Sequence, residues 1–168
     1  AGGPHRVRDV DHERERQRLK RPCRDRSRTQ DGSDIKRWPS AAAREDGAEA
    51  HALGAAGVGL YRTEFLFLNS SVLPDEEAQS RAYRDLVLGM TGRTVTIRSL
   101  DVGADKADRT GLTLTGEPNP ALGVRGVRLS LLRDGLFETQ LRAIVRASGY
   151  GPVRVLVPMV SCREEMVT

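Results

Sequence analysis

The sequence predicts an α/β fold built on a parallel sheet or barrel, and three observations carry that expectation. Short runs rich in β-branched and aliphatic residues recur at 58–61, 94–98 and 153–157, as strands require. Segments with apolar residues at helical spacing lie between them, and strands alternating with helices pack as parallel sheets. The apolar residues concentrate in the C-terminal two thirds, so a core forms there although only 38% of the 168 residues are hydrophobic and 30% are charged.

Along the chain, residues 1–40 show no sustained periodicity. Pro4, Pro22 and Pro39 interrupt them and Arg24 to Arg28 reads as solvated chain, so the segment is expected to be largely disordered. Its alternating acids and bases from Glu13 to Lys20 allow one short exposed helix. Residues 37–40 do not read as a strand. The alanine-rich stretch 41–53 predicts a helix closed by Gly54, and 58–61 a short buried strand. Pro74 with Asp75, Glu76 and Glu77 opens the next helix, which Ala78, Ala82, Leu86 and Met90 continue at helical spacing to Gly92. Val95 and Ile97 alternate with polar neighbours in the strand 94–98, and a long polar loop runs to about Pro120. Two helices follow at 122–132 and 136–147, the second with Phe137, Leu141, Ile144 and Val145 on one face. The run 153–157 is apolar enough to be buried on both sides.

Composition excludes some classes. No apolar run approaches the length of about 18 residues needed to span a membrane, and no apolar stretch of a secretory signal opens the chain; a cytoplasmic protein is expected. Cys23 and Cys162 have no paired spacing for zinc or a disulfide framework. The net charge of +4 comes largely from arginines between Arg6 and Arg44. These alternate with Asp9, Asp11, Glu13, Glu15 and Asp25, and no aromatic residue precedes Trp38. A solvated charged segment is expected rather than a nucleic-acid-binding arm; a non-catalytic module with a basic arm is the competing functional class.

Two arginines occupy equivalent places. Arg62 directly follows one predicted strand and Arg98 ends the next, and in parallel α/β folds that end of the strands is where ligands bind. A guanidinium fork matches carboxylate and phosphate through paired hydrogen bonds, so two of them suit a small, multiply anionic ligand. The plainer alternative is that each pairs with a structural acid such as Glu64 or Asp101.

Four segments then stand in a telling order: Gly57-Val58-Gly59-Leu60-Tyr61-Arg62-Thr63-Glu64-Phe65-Leu66-Phe67; Arg98-Ser99-Leu100-Asp101-Val102-Gly103-Ala104-Asp105-Lys106; Asn119-Pro120-Ala121-Leu122-Gly123-Val124-Arg125-Gly126-Val127-Arg128; and Gln140-Leu141-Arg142-Ala143-Ile144 with Val157-Pro158-Met159 further on. Together they resemble the phosphoenolpyruvate (PEP) binding barrel of the bacterial PEP-protein phosphotransferase family, Enzyme I of the sugar phosphotransferase system. Pyruvate phosphate dikinase and PEP synthase share that barrel, but the dikinases typically carry histidine where this chain has Phe65.

The resemblance implies about half of an eight-stranded (β/α)8 TIM barrel in residues 41–168, behind an aberrant arginine-rich segment 1–40. It implies PEP-dependent phosphoryl transfer to a histidine on a separate domain and onward to the carrier HPr. Arg62, Arg98 and Arg125 would bind the substrate, with Glu64, Asp101, Asp105 and Lys106 in support. The family's Mg2+ ligands and its proton-donating cysteine lie on later segments than Thr168, and Cys162 is expected to pack at a helix start instead. His5, His12 and His51 do not resemble the phospho-accepting histidine and are expected to be solvent-exposed. The resemblance also implies a homodimer. A fragment inactive and marginally stable by itself is therefore expected, and the odd N-terminal side suggests that part of residues 1–50 derives from a shifted reading frame.

Overall fold

The strand-forming runs lie side by side in chain order. In the computed structural model, which describes residues 27–68, 72–103, 119 and 121–167, a small antiparallel pair comes first, β1 (Ser27–Arg28) with β2 (Asp34–Ile35). A four-stranded parallel sheet follows, formed by β3 (Ser40–Ala41), β4 (Val58–Arg62), β5 (Val95–Arg98) and β6 (Val153–Leu156), in the order β3-β4-β5-β6. The helices are α1 (Asp46–Ala52), α2 (Glu64–Leu68), α3 (Glu76–Gly89), α4 (Val127–Leu132) and α5 (Leu136–Ser148), with a 3₁₀ turn at Glu164–Met166.

Local chemistry explains the helix ends. Gly54 takes a positive φ of 74°, donates to the His51 carbonyl, and is followed by an Ala55 N–H that reaches back to the Ala50 carbonyl, a Schellman closure that needs a residue at ease in the left-handed region. Asp75 caps α3 by accepting the Ala78 N–H at 2.7 Å, with acidic Glu76 and Glu77 in the first turn where the helix dipole favours them.

The core lies between the sheet and α3 and α5. Val58, Tyr61, Val95 and Ile97 pack with Tyr83, Leu86, Val87 and Met90 of the α3 region and with Ala143, Ile144 and Ala147 of α5. Each large aliphatic side chain buried there contributes on the order of 1.5–3 kcal/mol as an upper figure. A register irregularity between Val58 and Tyr61 lets both face the core although three positions separate them. Alternation turns Arg62 and Arg98 toward the opposite face of the sheet. A second cluster, Phe67, Leu100, Val102, Leu129 and Leu136, closes over the C-terminal strand ends.

Several expectations require correction. Residues 37–40 lead into a strand: Ala56 N–H donates to the Arg37 carbonyl, Gly59 N–H to the Pro39 carbonyl, and Ser40 and Ala41 pair in parallel with Leu60 and Tyr61. The division at residue 40 therefore cuts β3, and residues 27–40 carry regular structure, whereas 1–26 lie outside the described residues. What holds β3 is non-local. Trp38 lies on Gly57 and Gly59; a Cβ at Gly57 would collide with the indole and sit 2.5 Å from the Thr94 carbonyl oxygen.

The helix expected from residue 41 starts at Asp46, whose carboxylate instead accepts the N–H groups of Ala42 and Ala43. The helix expected from 122 starts at Val127, because Gly126 adopts φ 57°, ψ −131°, outside the helical region. On α5 the buried positions are Leu136, Gln140, Ala143, Ile144 and Ala147. Of the expected face only Ile144 is buried, and Val145 is 69% exposed; Phe137, Leu141 and Val145 line an open groove of about 1030 Å3 instead. Strand β6 is an edge with Val155 and Leu156 exposed, not a strand buried on both sides. His51 is half-buried and Cys162 is exposed ahead of the 3₁₀ turn rather than packed.

Candidate anion site at the strand tips

Arg62 and Arg98 are register partners at the C-terminal ends of the adjacent parallel strands β4 and β5. Partnered residues in parallel strands share a face, so both arginines belong to one edge of one face. Their surroundings differ. Arg62 is exposed, with its guanidinium carbon 5.3 Å from the centroid of the Phe65 ring, a cation–π contact that leaves the fork's edges available. No acid pairs with it among the described residues.

Arg98 is enclosed in an ion cluster. One terminal nitrogen bonds Glu64 Oε1, and the other lies 3.3 Å from Asp101 Oδ2. Asp101 Oδ1 in turn accepts Arg125 Nε at 3.1 Å. The four side chains are only 4–18% exposed, so opposite charges face each other in a partly desolvated place, and removing one weakens the compensation of its partner. Arg98 Nε is buried without a partner among the described residues. For Arg98, then, the pairing with structural acids is realised, and it fixes the guanidinium at the strand tip. Asp105 and Lys106 lie outside the described residues.

Sequence reasoning missed the polar scaffold beneath the tips. Gln140, 1% exposed on α5, accepts the Leu100 N–H at 2.8 Å and donates to Tyr83 Oη at 3.1 Å and Thr63 Oγ1 at 3.3 Å. Thr63 Oγ1 donates to the Arg98 carbonyl at 3.0 Å, and Tyr83 Oη to Gln79 Oε1 at 3.0 Å. Gln79 Nε2 closes the chain on the Pro74 carbonyl at 2.9 Å. Burial pushes the Tyr83 hydroxyl well above the usual phenol range, which keeps it a donor. A usable signal was present: a glutamine in the otherwise apolar stripe Leu136, Ala143, Ile144, Ala147 must find partners if buried.

Nearby, Arg128 fastens the turn after Asn119 to the C-terminal segment. Its Nη1 bonds the carbonyls of Leu122 and Gly123 at 3.2 and 3.1 Å, while Nε reaches Glu165 Oε1 at 3.1 Å and Nη2 reaches Ser161 Oγ at 3.3 Å. The Ser161 N–H bonded to Glu165, with Arg128 beside it, holds that carboxyl below its ordinary range. Among the described residues no group of three or more His, Cys, Asp and Glu side chains comes together as a metal site, and no helix is long and apolar enough to cross a membrane.

The family profile described as PEP-utilising enzyme, PEP-binding domain, matches residues 16–168. The chain belongs to that family of PEP-utilising enzymes. Similar proteins include the phosphoenolpyruvate-protein phosphotransferase of Cupriavidus necator, 46% identical over 164 residues, and that of Enterococcus faecalis, 44% identical over 139. The Haemophilus influenzae phosphoenolpyruvate-protein phosphotransferase is 47% identical over 121 residues. These alignments cover 96%, 82% and 72% of this chain and 28%, 24% and 20% of the relatives, so the PEP-binding domain described here spans about a quarter of their length. The first alignment takes in most of the arginine-rich segment.

Proposed function

We propose that this PEP-binding domain holds phosphoenolpyruvate at the tips of β4 and β5, as part of a longer cytoplasmic protein that passes the phosphoryl group to a protein histidine and on to HPr. The observation that carries the proposal is the Arg62–Arg98 register on neighbouring parallel strands. Arg62, exposed and stacked on Phe65, is free to meet the anion as it arrives. Arg98, held by Glu64 and Asp101, is preorganised, and Arg125 extends the positive field through its shared acid Asp101. During transfer the P–O bond to the enolate breaks and a P–N bond to the histidine forms. Fixed cations beside that phosphorus stabilise the charge it spreads over its oxygens. Asp105 and Lys106 are assigned a supporting role for these arginines. Mg2+, when bound, would add charge neutralisation, with its ligands assigned to other parts of the longer protein.

The architecture proposed for the site is half of a (β/α)8 barrel. Four parallel strands in unbroken chain order, with α3 and α5 packed on one face, fit barrel winding better than a doubly wound sheet, whose order reverses. Curling is supported by Arg154 of β6, whose guanidinium lies 5.8 Å from the centroid of Trp38, ahead of β3 at the other side of the sheet. Calorimetric titration of the chain with PEP and magnesium tests the proposal: a saturable heat that Arg98→Ala weakens supports it, and no PEP heat at millimolar ligand refutes it.

A further inference from the structure

Gln140 sits on the helix side of the sheet and bonds to the chain just past both arginine-bearing strands. Its carboxamide orientation is set by its neighbours. The Leu100 N–H can only donate, so the oxygen faces it, and the two N–H groups face the hydroxyls of Thr63 and Tyr83. Thr63 follows Arg62 directly and passes the link to the carbonyl of Arg98 itself. Leu100 lies between Arg98 and Asp101, the acid that Arg98 and Arg125 share. One buried amide thus fixes three points: the residue after Arg62, the main chain of Arg98, and the residue before Asp101.

We propose that Gln140 is a positioning residue that sets Arg62 and Arg98 relative to each other, acting through Thr63 and Leu100; its effect on PEP rests on the functional reading above. An apolar side chain of equal length would fill the same space between α3, α5 and the sheet, so packing alone does not require an amide. What the amide adds is direction: Tyr83, bonded to Gln79, anchors it to α3, and the remaining bonds hold the two strand tips in one register.

The experiment compares the full chain with Gln140→Met, which keeps volume and removes the amide, and with Thr63→Val, which cuts the link at its far end. Ile144→Val, on the same buried face of α5 but outside the network, controls for lost packing. NMR of arginine Nε–H groups reads Arg98 against Arg128 as internal reference, and PEP titration with magnesium follows. In Gln140→Met and Thr63→Val the Arg98 Nε–H, enclosed in the wild type, should shift and exchange with water about tenfold faster, with Arg128 unmoved and PEP affinity about tenfold weaker. An unmoved Arg98 signal in the variant that folds, or an equal change in Ile144→Val, overturns the positioning role. If the wild-type chain binds no PEP, the functional reading fails and the Arg98 signal still decides this one.

Discussion

Glu64→Gln removes one charge from the cluster of Arg98, Arg125, Glu64 and Asp101 while keeping the side chain's volume. In the wild type Glu64 is 4% exposed and Arg98 18%, so their attraction is weakly screened. Unit charges about 4 Å apart at an effective permittivity of about 20 interact by about 4 kcal/mol. Asp101 remains 3.3 Å from the other terminal nitrogen of Arg98 and solvent reaches part of the group, which halves that figure to about 2 kcal/mol. At about 2–4 °C per kcal/mol for a chain of this size, the melting midpoint should fall by roughly 4–8 °C. Urea unfolding followed by circular dichroism at low protein concentration measures the loss. The cluster's charge, one unit more positive, should also make added inorganic phosphate more stabilising in the variant than in the wild type. A variant as stable as the wild type, or one indifferent to phosphate, would refute the claim that Glu64 balances Arg98.

Three further predictions follow from the packing. Gly57→Ala drives a methyl group against the Trp38 ring and the Thr94 carbonyl and should cost about 1–3 kcal/mol in urea unfolding; an unchanged midpoint would mean that Trp38 does not seat on β4. Burial pushes the Tyr61 hydroxyl to about 12 and raises that of Tyr83 as well. The folded state thus keeps protons that the unfolded state releases above about pH 10, so stability is complete below that pH and declines as pH rises toward 12. Alkaline titration should show phenolate absorbance from these two residues arriving with the loss of helical signal, and their ionisation in a still-folded chain would contradict it. The groove along Phe137, Leu141 and Val145 and the exposed edge β6 should make the isolated chain self-associate, visible as concentration-dependent light scattering; a sharp melt from a stable monomer would argue the reverse.

Strands β4 and β5 were legible because each packs its strand signal into a few consecutive residues and ends on arginine. Strand β3 was not, since Ser40 and Ala41 hold too little pattern and their partner signal is the pair of small residues, Gly57 and Gly59, over which Trp38 lies. The start of α4 is not legible because Leu122 to Leu132 reads as one periodic run, while the backbone at Gly126 turns so that Val127 N–H meets the Pro158 carbonyl at 3.1 Å, a contact about thirty residues away. The arginine pair and its acids could be named from residue type and spacing. The scaffold through Gln140 could not, because which hydroxyl a buried amide meets is decided by how α3 and α5 pack, and the periodicity of α5 points to a stripe other than the one that packs.

The most direct test of the shared site is the PEP dissociation constant of the wild type beside those of Arg62→Ala and Arg98→Ala, measured with magnesium. Since a charge-assisted hydrogen bond contributes roughly 1.5–3 kcal/mol, each substitution should weaken PEP by roughly ten- to a hundredfold. Equal affinity in all three proteins, or a loss confined to one arginine, would contradict a single anion held between β4 and β5.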